Sequence, residues 1–250
     1  MKYGFAGDRQ ISVNILKFLI GKGYQPSFLL VGENGKSSHA QALIEASGLS
    51  ADNVFTNKDL NNSDKLSALR AYDVDYIFGI HFPYIIKKAL LELPKVGFIN
   101  LHPAYLPYNK GWHTPSWAIL EGTRYGATLH FMSEVLDGGD IIAQAELTVS
   151  PSMTANELYA AALQLEQQLF FDNFDNLLTL NPTRQPQTEI GTTHHKKDLE
   201  QIQPINVEEK VYPLDLINKL RALTTNNLNE AAYVVMDGKK FAIQVNIVEL

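Results

Sequence analysis

A short apolar run that ends in two polar side chains and a proline does most to constrain the fold of this chain. The run extends from Val96 to Leu101 and is interrupted by Asn100, and His102 and Pro103 follow it directly. Because side chains alternate along a strand, Asn100 and His102 would share one face. Proline lacks the amide hydrogen that a central strand needs, so the strand must end there. Polar groups at the carboxyl end of a buried strand predict a ligand site of the kind that open α/β sheets carry.

The chain before and after this run alternates strand and helix patterns. Apolar runs at 3–7, 28–32 and 75–80 are separated by segments with helical spacing and by a polar turn over 33–38. Such alternation predicts an α/β fold, with a Rossmann-like, doubly wound and mostly parallel sheet. A capping box, Thr154-Ala-Asn-Glu157, predicts one long helix that ends near 178–181.

The predicted organisation has three parts. Residues 1–180 form the catalytic, Rossmann-like domain, and the polar, proline-containing stretch 181–213 is a linker or active-site loop. Residues 214–250 form a small helix plus β-hairpin unit around the Asp237-Gly238 turn. Because a two-stranded hairpin is barely stable alone, and this one has apolar residues on both faces, we expect the unit to pair in a homodimer.

Composition and charge argue against several classes of protein. The 250 residues carry a formal net charge of −6, whereas nucleic-acid-binding proteins usually carry a basic excess. The sequence has no cysteine, which excludes disulfides and thiolate metal ligands. No apolar stretch approaches the ~18 residues of a membrane span, and the first residues lack an apolar signal core. We therefore expect a cytoplasmic protein that binds neither nucleic acid nor membrane.

Three residues carry the predicted chemistry: Asn100, His102 and Asp137. An imidazole can take a proton from a reacting group, and a nearby carboxylate can hold it and favour its charged form. An amide N–H can stabilise a developing oxyanion. An isolated Asn-x-His is more often structural than catalytic. Together with the Leu136-Asp-Gly-Gly-Asp140 segment, however, it favours a catalytic role. Because the sequence offers neither a cysteine nor a G-x-S-x-G elbow, direct attack by a substrate amine on an acyl donor fits better than an acyl-enzyme.

Three motifs together resemble the folate-dependent formyltransferases. They are the segment 98–107, the Gly-x-x-x-Pro helix start at 111–115 and the segment 136–141. The resemblance covers roughly residues 1–180 and implies 10-formyltetrahydrofolate as co-substrate, an amine as acceptor and no metal. By that match, Asn100 orients and stabilises the formyl oxygen, His102 is the general base and Asp137 assists His102. The resemblance also implies a pterin pocket with five lining residues, namely Ile80, Phe82, Tyr84, Met132 and Leu136.

Within this family the chain is most similar to nucleotide-sugar N-formyltransferases, and among those to enzymes that act on dTDP-4-amino-4,6-dideoxyglucose in O-antigen and lipopolysaccharide biosynthesis. The aromatic stretch 105–117, the loop 192–197 and the short terminal hairpin carry this similarity. It implies a nucleotide-linked amino sugar as partner. The candidate substrate-binding residues are Arg9, Tyr105, Lys110, Trp112, His113 and His195. Arg9 and Lys110 could pair with a pyrophosphate or could be solvated surface charges.

Other functions stay open from the residues alone. A methionyl-tRNA or glycinamide ribonucleotide formyltransferase would share the same motifs. A metal-dependent hydrolase could use His102, His113, His130 and Asp137, although their spacing matches no ligand motif. A nucleotide-sugar-binding protein without activity is a third alternative. Outside the metal hypothesis, His130 is predicted to be a core or lining residue.

Overall fold

The computed structural model describes residues 1–33 and 37–250 of the chain. Residues 34–36, which belong to the turn predicted over 33–38, lie outside the described residues. The strands are β1 Tyr3–Gly7, β2 Phe28–Val31, β3 Val54–Thr56, β4 Tyr76–Ile80, β5 Gly97–His102, β6 Lys110–Gly111, β7 Tyr125–Phe131, β8 Ile141–Leu147, β9 Thr193–His194, β10 Ala232–Met236 and β11 Lys239–Ile243. The α-helices are α1 Arg9–Gly21, α2 Ala40–Ser47, α3 Ser63–Ala71, α4 Lys88–Leu91, α5 Thr114–Glu121, α6 Ala155–Asp172, α7 Phe174–Leu178, α8 Asp198–Ile202 and α9 Pro213–Ala222.

A seven-stranded sheet has the order β3-β2-β1-β4-β5-β7-β8. The first five strands in this order pair in parallel, and β5 pairs antiparallel with β7. The strand order reverses between β1 and β4, which is the switch point of a doubly wound sheet. The predicted α/β fold with a mostly parallel sheet is therefore confirmed. The strand predicted at 96–101 is β5, which lies inside the sheet between β4 and β7.

The chain divides into two compact units. The first comprises residues 1–102, 128–143 and 166–187, and the second comprises 103–127, 144–165 and 188–250. Aromatic rings of Phe28, Phe55 and Phe98 belong to a buried cluster of the first unit. In the second unit, Trp117 packs with Leu199, and Tyr125 packs in a separate cluster around α6. The predicted boundaries at 180 and 213 stay a prediction.

Local sequence signals account for several helix ends. Oδ1 of Asn62 accepts hydrogen bonds from the backbone N–H groups of Asp64 and Lys65, which caps α3. The predicted capping box forms: the Thr154 backbone N–H donates to Glu157 Oε2 at 2.8 Å, and the Glu157 N–H donates to Thr154 Oγ1 at 3.4 Å. These bonds from Thr154 hold the pKa of the Glu157 carboxyl below its usual range.

Two details differ from the sequence prediction. The single long helix expected up to 178–181 is two helices, because α6 ends at Asp172 and α7 begins at Phe174. Nδ2 of Asn173 donates to the backbone oxygen of Leu169 at 2.8 Å, and such a local side-chain bond competes with the helical ladder. The three-residue strand β3 was not predicted, since three residues are too few to show an alternating pattern. The hairpin predicted around Asp237-Gly238 is present as β10 and β11, and both turn residues have positive φ.

Candidate active site

The strand β5 presents Asn100 and His102 at the carboxyl end of the parallel part of the sheet. Asn100 pairs in register with Gly79 of β4 and with His130 of β7, and His102 pairs with Thr128 of β7. Positions 100 and 102 share one face because side chains alternate along the strand. His102 is buried and Asn100 is half-buried. Both polar groups are therefore held by the sheet and largely withdrawn from bulk water.

Asp137 lies beside His102. Its Oδ2 is 3.6 Å from Nε2 of His102, and the two side chains are 10% and 8% exposed. The φ of Asp137 is 47°, a left-handed conformation that a non-glycine residue adopts only where its surroundings hold it. The structure thus brings Asn100, His102 and Asp137 to one place, and their chemical roles stay a prediction.

The segment that carries Asp137 is tied to the sheet. The backbone N–H of Met132 donates to the oxygen of Phe98 at 2.7 Å. Gly139 packs so closely on this strand end that a Cβ atom there would lie 2.0 Å from the backbone oxygen of Phe131. A side chain at position 139 would therefore displace the turn, which explains one of the two glycines that follow Asp137.

His130, which the sequence predicts to be a core or lining residue, lies at this site. Its side chain is 1% exposed, and its Nδ1 lies 2.8 Å from the backbone oxygen of Phe131. A carbonyl oxygen can only accept, so we assign the ring hydrogen to Nδ1. Nε2 of the same ring lies 3.3 Å from Nδ2 of Asn100 and therefore accepts a hydrogen bond from that amide. Nε2 is also 3.9 Å from Oδ1 of Asp137.

The contact with His130 fixes the orientation of the Asn100 amide. The amide nitrogen must face the imidazole, because Nε2 is an acceptor in this tautomer. The second hydrogen of the same nitrogen can then be donated to a substrate oxygen. What identifies His130 as part of the site is its position directly opposite Asn100 in the β5–β7 pair. Strand patterns predict both strands, but they do not give the register that makes these two residues neighbours.

The candidate folate residues Ile80, Phe82 and Tyr84 lie at and just after the end of β4. Ile80 is fully buried, and its backbone oxygen accepts a hydrogen bond from Ser12 Oγ at 2.5 Å. The rings of Phe82 and Tyr84 are half-buried, 5.2 Å apart between centroids and inclined by 54°. Tyr84 also lines a cavity of about 400 Å³, together with Asn57, Leu60, Asn61, Leu66, Pro83, Ile85, Lys87, Ala89 and Leu90.

The two other candidate folate residues lie on the segment that carries Asp137. Met132 is half-buried and packs on the same core cluster as Phe82, whereas Leu136 is 50% exposed. Half-buried aromatic and apolar side chains suit the flat faces of a heteroaromatic ring such as a pterin, whereas the polar edge of that ring needs hydrogen-bond partners.

Arg9 is the only candidate substrate residue in the first unit. It is exposed, begins α1 and has a φ of 68°. Its neighbour Asp8 is buried, and Oδ1 of Asp8 accepts hydrogen bonds from Ser37 Oγ, Ser38 Oγ and the His39 N–H at 2.8–2.9 Å. Burial raises the pKa of the Asp8 carboxyl, but these hydrogen bonds outweigh burial and lower it. The turn that begins α1 is therefore built around a buried carboxylate.

The remaining candidate substrate residues lie in the second unit, and they are Tyr105, Lys110, Trp112, His113 and His195. Strand β6 pairs in parallel with β9, with Lys110 opposite Thr193 and Gly111 opposite His194. The Trp112 N–H continues this ribbon by donating to the oxygen of His194 at 3.0 Å. The structure therefore brings together the aromatic loop and the loop 192–197, which are about 80 residues apart in the sequence.

Two aromatic side chains of this ribbon have charged neighbours. Trp112 is 43% exposed, and Nζ of Lys196 lies 5.4 Å from its ring centroid. Nδ1 of His113 is 3.8 Å from Oε2 of Glu230. Burial lowers the pKa of His113, and the smaller opposing effect of Glu230 does not cancel it.

Tyr105 and His195 have different surroundings. The guanidinium carbon of Arg124 lies 3.8 Å from the ring centroid of Tyr105, and Arg124 also pairs with Glu146 at 2.6 Å. His195 is exposed, and its backbone N–H donates to Oδ2 of Asp198 at 2.6 Å. Neither arrangement identifies a ligand by itself.

Within residues 1–33 and 37–250, no three His, Cys, Asp or Glu side chains are placed together to hold a metal ion. No helix in the same ranges is both long enough and apolar enough to cross a membrane.

A doubly wound sheet with an amide donor, an imidazole and a carboxylate grouped at one strand end has the groups that acyl transfer to an amine requires. The family comparison makes this specific. A family described as "Formyl transferase" matches residues 30–173, and one described as "N-formyltransferase dimerization C-terminal domain" matches residues 198–249. The chain belongs to the formyl transferase family.

Similar proteins agree with this assignment. A dTDP-4-amino-4,6-dideoxyglucose formyltransferase of Mycobacterium tuberculosis is 31% identical over 171 residues, which cover 68% of this chain and 72% of that protein. The crystal structure of a 4-N formyltransferase from Francisella tularensis has a TM-score of 0.85 and 24% identity, over 100% of this chain and 98% of that one. An N-formyltransferase from Helicobacter canadensis, solved with folinic acid and dTDP-3-aminofucose, has a TM-score of 0.70 and 21% identity, over 96% of this chain and 86% of that one.

Proposed function

We propose that this enzyme transfers a formyl group from 10-formyltetrahydrofolate to the amino group of a dTDP-linked amino sugar. The acceptor that we favour is dTDP-4-amino-4,6-dideoxyglucose, because the Mycobacterium tuberculosis relative carries that name. The folate and dTDP-sugar ligands of the Helicobacter canadensis structure support the two substrate classes. The observation that carries the proposal is the 3.6 Å approach of Asp137 to His102, on the same strand end as Asn100.

The proposed reaction needs one amide donor and one proton acceptor. The amine nitrogen forms a bond to the formyl carbon, and the bond from that carbon to the donor nitrogen breaks. The proton that the amine loses must reach the donor nitrogen, which leaves as the secondary amine of tetrahydrofolate. His102 is placed to accept this proton, directly or through a water molecule, while Asp137 orients and stabilises its imidazole. Asn100, with its nitrogen turned by His130, donates to the formyl oxygen as negative charge develops there. The donor supplies the activated formyl group.

The residues that would hold the donor are Ile80, Phe82, Tyr84, Met132 and Leu136. Phe82 and Met132 pack on one core cluster, and the ring of Tyr84 lies beside that of Phe82, which supports an apolar and aromatic lining there. Pyrophosphate recognition is assigned to Arg9 and Lys110, and contacts with the sugar or base to Tyr105, Trp112, His113 and His195. These assignments extend the predicted site and can be tested residue by residue.

Methionyl-tRNA formylation is the nearest alternative, because a methionyl-tRNA formyltransferase of Acidobacterium capsulatum is 30% identical to the chain over 202 residues. The sugar-nucleotide assignment is supported by the match of residues 198–249 to the N-formyltransferase dimerization domain and by the net charge of −6. A glycinamide ribonucleotide acceptor, a metal-dependent hydrolase and a binding protein without activity have less support. The hydrolase and the binding protein do not explain why an amide donor stands beside the His102–Asp137 pair, whereas a glycinamide ribonucleotide formyltransferase would share these residues and differ only in its acceptor.

We also propose that the protein is a homodimer that pairs through β10 and β11. Val235, Met236 and Phe241 of this hairpin are 53%, 50% and 45% exposed, which leaves an apolar surface on the second unit. The family match of residues 198–249 supports this use of the hairpin. Light scattering at micromolar concentration should give twice the chain mass, and Phe241→Asp should give a monomer. A monomeric wild-type protein would contradict this proposal. Action in the cytoplasm and a role in O-antigen or lipopolysaccharide biosynthesis stay predictions.

A substrate screen tests the proposed function. The full-length protein is incubated with 10-formyltetrahydrofolate and with each of a panel of nucleotide-linked amino sugars, methionyl-tRNA and glycinamide ribonucleotide. Mass spectrometry then identifies which acceptor gains one formyl group. We expect turnover with dTDP-4-amino-4,6-dideoxyglucose and its loss in Asn100→Ala. Formylation of methionyl-tRNA alone would overturn the sugar-nucleotide assignment.

A further inference from the structure

The turn that carries Asp137 is bound by a side chain from a distant part of the first unit. Nε2 of Gln187 donates to the backbone oxygens of Asp137 and Gly139, each at 2.8 Å. The two acceptors lie on either side of Gly138, so one amide group spans the peptide units that set the direction of the Asp137 side chain. The N–H of Gly138 donates to the oxygen of Val135 at 3.1 Å and closes the turn from within.

The orientation of the Gln187 amide follows from its neighbours. Both groups that face it are carbonyl oxygens, which can only accept, so the nitrogen must point at them. The Oε1 atom of Gln187 is buried, and no donor reaches it within the described part of the chain. An unmade bond to a buried acceptor is unfavourable. A hydrophobic side chain would avoid this cost, so the chemistry that glutamine provides at this position is the pair of N–H groups directed at the turn.

The backbone around Gln187 is itself fixed. Two residues earlier, Gln185 exchanges both backbone hydrogen bonds with Ile141, at 2.8 and 2.9 Å. Pro186 then restricts the chain that leads to Gln187. The Gln187 amide therefore reaches the turn from a segment whose backbone is hydrogen-bonded to Ile141, the first residue of β8. Because its backbone is restrained in this way, Gln187 can stabilise the left-handed conformation of Asp137.

We propose that Gln187 is a positioning residue that fixes Asp137 relative to His102. The inference rests on the proposed function only for its kinetic consequence, since the hydrogen bonds are a property of the protein alone. Without the two N–H donors, the turn should sample conformations in which Asp137 moves away from the imidazole. The fold should persist, because the sheet contacts of Phe98 with Met132 do not involve Gln187.

The test compares Gln187→Met with Gln185→Met in the full-length protein. Methionine has a similar length and removes both the donors and the buried orphan oxygen, so folding should be little affected. The Gln185 side chain is exposed, which makes the same substitution two residues earlier a matched control. The first readout is hydrogen exchange over residues 133–140 in the ligand-free protein. We expect the Gly138 amide to exchange about tenfold faster in Gln187→Met and unchanged in Gln185→Met.

The second readout is steady-state formyl transfer. We expect kcat to fall by about 10²-fold in Gln187→Met, as misplacement of a catalytic group does, with KM for both substrates nearly unchanged. In an Asp137→Asn background the same substitution should change kcat by less than about threefold, because Gln187 acts through Asp137. Additive losses, or wild-type exchange in the turn, would overturn the inference. If the wild-type protein transfers no formyl group, the proposed function fails while the exchange comparison still decides the role of Gln187.

Discussion

Nδ2 of Asn100 lies 3.3 Å from Nε2 of His130, and this contact determines which way the Asn100 amide faces. His130 can accept because its Nδ1 hydrogen is already used by the backbone oxygen of Phe131. One hydrogen of the Asn100 amide nitrogen is therefore donated to His130, and the other can be donated to an oxyanion. The same arrangement places a carboxylate, Asp137, within 4 Å of both imidazoles.

Replacing Asn100 by alanine should remove the proposed oxyanion donor. We expect kcat to fall by about 10²–10³-fold, which is the usual effect of losing one such donor. KM for the nucleotide sugar should change little, because the donor acts on charge that develops only in the transition state. Steady-state kinetics with a formyl acceptor identified by the substrate screen measures both constants. A rise in KM at unchanged kcat would show that Asn100 binds the ground state instead.

Replacing His130 by leucine should act through Asn100. The loss of one acceptor lets the amide turn, and we expect kcat to fall by about five- to tenfold, the worth of one hydrogen bond. The double variant with Asn100→Ala should be no slower than Asn100→Ala alone, because the group that His130 orients is then absent. Independent, multiplicative losses in the double variant would mean that His130 has a role of its own in the reaction.

The buried carboxylate of Asp8 predicts a pH dependence of stability. Its pKa is lowered in the folded protein, so the folded state favours the charged form. This contribution is fully present above the unfolded-state pKa of about 3.9 and is lost as the pH falls through the lower folded-state value. Asp8→Asn keeps an acceptor oxygen but not the charge, and should cost about 1 kcal/mol at pH 7. Urea unfolding should show this difference at pH 7 and a smaller one below about pH 4. An equal difference at both pH values would contradict the assignment.

His81 and Glu166 form a buried pair in the first unit. Nε2 of His81 lies 2.9 and 3.1 Å from the two carboxylate oxygens of Glu166, and the side chains are 7% and 0% exposed. Glu166→Leu leaves His81 without its acceptor and should cost about 1–3 kcal/mol in unfolding free energy. Glu166→Gln keeps one acceptor oxygen and should cost less. Gln164→Leu, at an exposed position of the same helix, is the control and should be nearly neutral. Equal stability of Glu166→Leu and Gln164→Leu would show that the pair contributes nothing.

The sequence predicts those features of this protein that depend on local patterns. Strand β5 with Asn100 and His102, the capping box at Thr154 and the Asp237-Gly238 hairpin all follow from residues within a few positions of one another. The short strands β6 and β9 are only two residues long, so their pairing leaves no periodic signal. What the sequence does not give is therefore mostly pairing across the chain.

In the candidate active site, too, local sequence identifies some residues, and others become apparent only from contacts across the chain. Asp137 could be assigned because its Leu-Asp-Gly-Gly-Asp segment is distinctive, whereas His130 becomes visible only when the register of β5 and β7 is known. Gln187 is separated by 50 residues from Asp137, and nothing in a Gln-Pro-Gln segment marks a turn-binding amide. Side chains that act through another residue are the part of a site for which local sequence carries least information.

We propose that this enzyme moves a formyl group from a folate onto the amine of a dTDP-linked sugar. The most direct measurement uses 10-formyltetrahydrofolate labelled with ¹³C in the formyl group, together with dTDP-4-amino-4,6-dideoxyglucose, and follows the label by NMR. We predict that the label appears in a formamide on the sugar nitrogen with the wild-type protein, and that His102→Asn slows this by about 10²–10⁴-fold. Label that stays on the folate with wild-type protein would contradict the proposed transfer, and label that moves equally fast with His102→Asn would contradict the role of His102 as general base.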